Sequence, residues 1–147
     1  RRNTPQGKGL FMIYAVIDTN VLVSALLSRH SDAATVQVVK AVFEKNILPL
    51  YNDEIIAEYE EVLGRKKFGF PHDEVKNILD MIIKMGTSAK RTPVREDFPD
   101  PKDVVFYEIT MSKEDAYLVT GNTKHFPKSP IVVTPAEMLD ILNREIV

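Results

Sequence analysis

Short apolar runs alternate with longer stretches of helical periodicity along this chain, and that alternation restricts the possible folds most. Four runs have the β-branched and apolar composition of strands covered on both faces: 12–18, 47–51, 115–121 and 131–133. Most of the longer stretches between them repeat apolar residues at helical spacing. The sequence therefore predicts an α/β domain with a mainly parallel sheet.

Capping residues and turn residues predict where the elements begin and end. The residues predicted to cap helices are Ser31 or Asp32, Asn52 and Thr134. Residues 65–67 (Arg-Lys-Lys) are predicted to lie in the last turn of the helix that Asn52 begins, where their charges match the helix dipole. Gly86 is expected to end the next helix, and residues 88–94 are predicted to form an edge strand.

The chain is predicted to contain one domain. Residues 1–11 lack periodicity and contain two glycines and a proline, so we expect an expression leader or a disordered segment there. The remaining residues, 12–147, have a length that suits a single domain with a single core.

The composition excludes several classes of site. The chain has no cysteine, which rules out disulfides, zinc–thiolate sites and thiol nucleophiles, and its three histidines lie far apart in sequence. Its formal net charge of −2 disfavours a protein that binds nucleic acid mainly by neutralising phosphates. No apolar run has the length of a membrane span and no signal peptide is visible, so we expect a soluble cytoplasmic protein.

Acidic and amide side chains occur where the predicted elements can bring them together. Asp18 follows the first strand, and Asn122 follows the run that ends at residue 121. Asp100 and Asp103 stand at the entrance to the helix before that run, and Glu58 lies within another helix. Because sites in parallel sheets form outside the carboxyl ends of the strands, we expect these oxygen ligands to converge. Oxygen ligands favour Mg²⁺ or Mn²⁺, which are common in phosphodiester hydrolysis.

Four motifs in this order resemble those of the PIN domain nucleases that act as toxins in bacterial and archaeal toxin–antitoxin pairs. They are IDTNVLVSAL, EIIAEYEEVL, DPKDVVFYEIT and YLVTGNTKHFP. The resemblance covers nearly all of residues 12–147. It implies a PIN-like three-layer α/β/α fold with a mainly parallel sheet of four to five strands, and RNA as the substrate. It also implies an antitoxin protein as a partner and a homodimer, for which residues 78–85 would supply the contact.

The resemblance further implies a set of site residues. Asp18, Glu58 and Asp103 match the acidic positions that carry catalysis and hold Mg²⁺ or Mn²⁺. The supporting residues are Asn20, Ser24, Asp100 and Asn122. Among them, Asn20 and Ser24 match small polar positions that orient the first aspartate by hydrogen bonds. Asn122 stands where the family usually has an aspartate, so a second metal ion would be held less firmly.

Simpler interpretations exist for single residues. The alternatives are helix capping for Asp18 and Asp103, a solvated helix surface for Glu58, and turn chemistry for Asn122. His125 lies in a loop, where a lone histidine is more often structural, and we leave it outside the catalytic set. Residues 65–67 could contact RNA phosphates, although the helix dipole also accounts for them. The aromatic residues are dispersed, so the sequence predicts no stacking platform for bases.

Two other functions remain open for the whole chain. One is a PIN-like module that binds RNA or a protein without catalysis, which Asn122 keeps under consideration. The other is an aspartate-based phosphotransfer domain, since such domains also place an aspartate at a strand end. Phosphotransfer enzymes of the haloacid dehalogenase type normally need a second aspartate two residues later, where this chain has Asn20.

Overall fold

Five strands and six α-helices form the part of the chain that this computed structural model describes, residues 12–146. The strands are β1 (Ile13–Ile17), β2 (Ile47–Tyr51), β3 (Thr87–Ser88), β4 (Tyr117–Val119) and β5 (Val132–Val133). The helices are α1 (Thr19–Leu27), α2 (Ala34–Phe43), α3 (Asp53–Leu63), α4 (His72–Met85), α5 (Val104–Met111) and α6 (Pro135–Ile146). The leader predicted over residues 1–11 lies outside the described residues.

The five strands form one parallel sheet with β1 at its centre. The strand order is β3-β2-β1-β4-β5, and every neighbouring pair is parallel. Ala15, Val16 and Ile17 of β1 are all at most 1% exposed. Because successive side chains of a strand point to opposite faces, this burial requires packing layers on both faces of the sheet. The predicted three-layer α/β/α fold with a parallel sheet is confirmed.

The helices supply those layers. α5 packs against β1, β2 and β4, whereas α2 packs against β2 and also contacts α1 and α6. In α4, Ile78, Leu79 and Ile82 are buried in the protein's own core, so the apolar stripe predicted to be free for a dimer contact is largely used internally. Ile83 remains 43% exposed. No helix in the described range is both long and apolar enough to cross a membrane.

Two of the predicted helix caps are confirmed. The Asn52 side chain accepts a hydrogen bond from the Ile55 N–H at 2.9 Å. Thr134 and Glu137 form a reciprocal capping box, in which each side-chain oxygen accepts a hydrogen bond from the other residue's N–H. The predicted end of α4 at Gly86 is also confirmed.

Three predicted boundaries are wrong. Neither Ser31 nor Asp32 caps α2, because the chain turns through them and Ala33 takes the cap position without a side-chain hydrogen bond. Residues 65–67 are not in the last turn of α3, since that helix ends at Leu63. The edge strand predicted over residues 88–94 is only the short β3.

Hydrogen bonds to Glu108 explain why β3 is short. The Thr92 N–H donates to the Glu108 carbonyl, and the Val94 N–H donates to its carboxylate at 3.0 Å, so this segment pairs with α5 instead of β2. Arg91 donates to Glu108 at 2.6 Å and also to Glu54 at the start of α3. Burial raises the pKa of Glu108, but the hydrogen bonds from Arg91 and Val94 outweigh it and lower the pKa below its ordinary value.

Arg91→Ala is expected to lower the free energy of unfolding by about 1–3 kcal/mol, because it leaves the nearly buried Glu108 carboxylate without its cation. Urea unfolding at pH 7 measures the loss. Lys76→Ala is the matched control, since it breaks an ion pair whose side chains are 63% and 60% exposed, and it should cost clearly less than Arg91→Ala. Equal losses in the two variants would contradict the anchoring role of Arg91.

Candidate active site

Asp18 is buried at the carboxyl end of the central strand. Its N–H donates to the Val119 carbonyl at 2.9 Å, which extends the pairing of β1 with β4 by one residue. The side chain caps α1, because Oδ1 accepts a hydrogen bond from the Thr19 N–H at 2.8 Å. Oδ2 accepts one from the Thr120 hydroxyl at 2.7 Å. Capping is thus one part of what this carboxylate does, and its second oxygen faces the end of β4.

Asn20 and Thr120 hold Asp18 in place. The Asn20 amide lies between the ends of β1 and β4: Nδ2 donates to Asp18 Oδ2 at 3.2 Å, and Oδ1 accepts from the Gly121 N–H at 3.0 Å. Thr120 is fully buried. Sequence reasoning did not single it out, although a hydroxyl at the end of an otherwise apolar strand is a usable signal. Ser24 lies exposed on α1, and within the described residues it forms no hydrogen bond with Asp18.

Asp103 lies where the chain enters α5, at the end of the 3₁₀ turn Pro101–Asp103. Its Oδ2 is a buried acceptor without a hydrogen bond in the described part of the protein. Burial raises the pKa of Asp103 to about 6, and the negative charges of Asp18 and Asp100 contribute to the shift. Asp18 therefore acts electrostatically on Asp103, although 85 positions separate the two residues in sequence. Asp100 is exposed and caps the 3₁₀ turn by accepting the Lys102 N–H.

Glu58 is brought towards Asp18 by its neighbour on α3. Tyr59 is completely buried, and its hydroxyl donates to the Ile17 carbonyl at 2.5 Å. Burial raises the pKa of Tyr59, and the charge of Asp18 raises it further. This contact fixes α3 beside the end of β1. Glu58 is half-buried, and its charge raises the pKa of Asp18, whose main upward shift comes from burial.

Asn122 and His125 complete the group. The Asn122 side-chain amide lies 3.0 Å from His125 Nε2, and His125 Nδ1 lies 3.4 Å from Asp103 Oδ2 without hydrogen-bond geometry. If Nε2 accepts the Asn122 amide proton, Nδ1 carries the proton and faces the Asp103 carboxylate. The sequence places His125 outside the catalytic set, whereas in the structure its ring lies against Asp103, a predicted metal ligand. Its position three residues after Asn122 was the available signal.

The oxygen donors of this group suit a divalent cation, although the carboxylates do not surround a common position. Within residues 12–146, no three acidic or histidine side chains are close enough together to enclose an ion. Two buried oxygens nevertheless have no hydrogen-bond partner there, Asp103 Oδ2 and the Thr19 hydroxyl. Mutual repulsion and an unpartnered carboxylate oxygen both favour a cation whose remaining ligands are water and substrate.

Comparison with known proteins places this geometry in a family. A PIN domain model matches residues 14–124, which is well over half of the chain. The matched range contains Asp18, Glu58, Asp103 and Asn122, and it ends one residue before His125. No curated protein and no solved structure matches the chain significantly.

Stability of the metal-free protein should fall as the pH rises from about 4 to about 6, because the pKa of Asp103 is raised from 3.8 to about 6 in the fold. A raised pKa stabilises the fold below the unfolded value, and this contribution is lost as the pH passes the folded value. After allowance for solvent screening we expect a loss of about 1 kcal/mol.

Urea unfolding in EDTA between pH 4 and pH 7 measures this change. Asp103→Asn should flatten the profile relative to the wild type, whereas Asp73→Asn, an exposed residue at the start of α4, should leave it unchanged. An unaltered profile in Asp103→Asn would show that its carboxyl group has an ordinary pKa.

Proposed function

The chain belongs to the PIN domain family, whose members are generally nucleases, and from this we propose that it is a metal-dependent ribonuclease. The observation that carries the proposal is the approach of two carboxylates, the buried Asp18 and the partly buried Asp103. They come from distant segments, the charge of Asp18 raises the pKa of Asp103, and the buried Oδ2 of Asp103 has no hydrogen bond in the described residues. A fold gains nothing from such a pair unless a ligand offsets the repulsion.

Asp18 and Asp103 hold Mg²⁺ or Mn²⁺ in this proposal, and Glu58 either adds a ligand or positions the attacking water. A bound divalent ion supplies a Lewis acid at the phosphate and makes hydroxide available near neutral pH. Asn20 and Thr120 keep the Asp18 carboxylate oriented through their hydrogen bonds.

Water attacks phosphorus in line with the leaving oxygen, and the products carry a 5′-phosphate and a 3′-hydroxyl. Asp100 caps the turn that presents Asp103. Asn122 provides an uncharged oxygen where most relatives would carry a charge, so one ion is bound firmly and a second depends on substrate phosphate. Ser24 faces solvent and is the weakest of the proposed supporting residues.

The biological role proposed is that of a cytoplasmic toxin held in check by an antitoxin protein. What supports it is the motif pattern, together with an apolar groove of about 620 Å³ between α3 and α4. The groove is lined by Ile56, Leu63, Phe70, Leu79 and Ile83, among others. A homodimer is the expected assembly. Growth arrest on expression alone, relieved by a short gene directly upstream, would support the toxin role.

Asp18→Asn and Asp103→Asn are each expected to reduce RNA cleavage by about 100-fold or more, since each removes a charge that holds the ion. The assay uses fluorescently labelled single-stranded and structured RNAs with Mn²⁺, and then with EDTA. Calorimetric titration with Mn²⁺ gives a second measurement, in which both variants should bind more weakly. Asp73→Asn should behave as the wild type in both experiments.

Three results would contradict the proposal. RNA binding without cleavage under any metal condition would favour a binding module. A covalent aspartyl phosphate formed with acetyl phosphate would favour phosphotransfer. Full cleavage by Asp18→Asn would remove that carboxylate from the mechanism.

A further inference from the structure

The segment between α3 and α4 concentrates positive charge in a chain whose formal net charge is −2. Arg65, Lys66 and Lys67 are consecutive and exposed. Since α3 ends at Leu63, they lie beyond its last turn, where interaction with the helix dipole falls off. Across residues 12–146, neither Lys66 nor Lys67 forms a salt bridge. Both ammonium groups are therefore available to a ligand.

Two aromatic rings lie directly beside this charge. Phe68 and Phe70 stack with their centroids 5.3 Å apart and their planes 9° from parallel. Gly69 between them has a φ of 63°, a left-handed conformation that glycine adopts without strain. The Lys67 ammonium lies over the Phe68 ring, 5.1 Å from its centroid. The expectation of dispersed aromatic residues is thus wrong here, and aromatic faces beside cations are what binds unpaired bases and their phosphates.

This segment is continuous with the candidate active site along one side of α3. Glu58, Glu61 and Arg65 follow one another at intervals of three and four residues, which places them on the same side. Arg65 donates to Glu61 at 2.7 Å, and that hydrogen bond lowers the pKa of Glu61, to which the charge of Lys102 also contributes. Lys102 directly precedes Asp103. The loop therefore begins at the side of α3 that carries Glu58 and Glu61, and its first cation, Arg65, is held by Glu61.

We propose that the α3–α4 loop, residues 64–71, binds single-stranded RNA beside the active site. Lys66 and Lys67 pair with phosphates while Arg65 stays bound to Glu61, and one unpaired base stacks on Phe68, which Phe70 supports from below. The base takes the place over the ring that the Lys67 ammonium holds, and this flexible side chain turns to the adjacent phosphate. The proposal rests on the ribonuclease function above and adds where the RNA strand lies.

Selection for single strands follows from the same contacts. Bases in duplex RNA remain stacked on one another and do not offer a free face to Phe68. The phosphate contacts operate on both kinds of RNA, so the aromatic contact alone distinguishes them. Replacing the lysines should therefore weaken the binding of both kinds of RNA, whereas replacing Phe68 should weaken the binding of single strands alone.

The test measures binding in EDTA, where no metal-dependent cleavage occurs, by fluorescence anisotropy. The probes are a fluorescein-labelled 12-nucleotide single strand of mixed sequence and a blunt-ended RNA duplex of the same length and sequence. Lys66→Ala/Lys67→Ala should weaken binding of the single strand about tenfold and reduce the slope of log affinity against log salt by about 1.4. Lys40→Ala/Lys84→Ala removes the same charge from exposed sites on α2 and α4 and should change neither quantity.

Phe68→Leu should weaken single-strand binding about tenfold and leave duplex binding unchanged, because leucine keeps the apolar packing but has no stacking face. Phe68→Tyr should bind as the wild type. Thermal unfolding followed by circular dichroism confirms that each variant is folded. Wild-type affinity in both the lysine variant and Phe68→Leu would overturn the proposal. Equal losses of affinity for the two probes in Phe68→Leu would also overturn it, and so would the absence of RNA binding by the wild type.

Cleavage kinetics separate this proposal from the ribonuclease function itself. With Mn²⁺ present, the loop variants should raise KM and leave kcat unchanged, because they lose contacts made equally before and during the reaction. If no RNA is cleaved but binding in EDTA still depends on the loop, the RNA surface stands and the nuclease proposal fails. If cleavage occurs and the loop variants keep the wild-type KM, the nuclease stands and the surface proposal fails.

Discussion

The buried carboxylate of Asp18 connects the parts of this fold. Its backbone extends the pairing of β1 with β4, its Oδ1 starts α1, and its Oδ2 is bonded by Thr120 at the end of β4. A buried carboxylate is stable only when hydrogen-bond donors surround it. The donors to Asp18 come from the start of α1 and the end of β4, so this one side chain fixes both beside the end of β1. Asn20 reinforces the same junction. The arrangement that holds the sheet together thus also fixes the orientation of the Asp18 carboxylate.

Gathering further acids around Asp18 works against stability. The fully buried Tyr59 fixes α3 beside Asp18, and the entrance to α5 brings in Asp103, so negative charges converge where burial already penalises ionisation. The rest of the fold must offset this cost. A five-stranded sheet covered on both faces can do so, and the Arg91 anchor of the segment before Asp103 adds to it. Destabilising arrangements such as this convergence of negative charges are typical of sites that a ligand completes.

Local signals in the sequence predicted the elements well, and contacts between distant segments account for the errors. The alternation of apolar runs predicted the parallel sheet, and Asn52 was found as a cap because capping needs only three following residues. Ser31 and Asp32 had the right chemistry, but the turn before α2 displaced them from the cap position. Thr120 and His125 were missed because each acquires its role from a residue far away in sequence, Asp18 and Asp103 respectively. The expected metal follows from the oxygen ligands in the sequence, whereas the catalytic roles follow from the motif resemblance.

The acidic net charge does not argue against the proposed RNA surface, for a physical reason. In the net charge, the carboxylates of the pocket and the cations of the α3–α4 loop cancel one another. In the proposal, however, these two sets of charges bind different ligands. A phosphate interacts with charges within about 10 Å at ordinary salt, so local placement matters more than the total. In the proposed ribonuclease, the acidic pocket would need a separate basic surface to hold the RNA, since carboxylates repel phosphate. The end of α3 at Leu63 leaves Lys66 and Lys67 clear of the helix, where they could supply that surface.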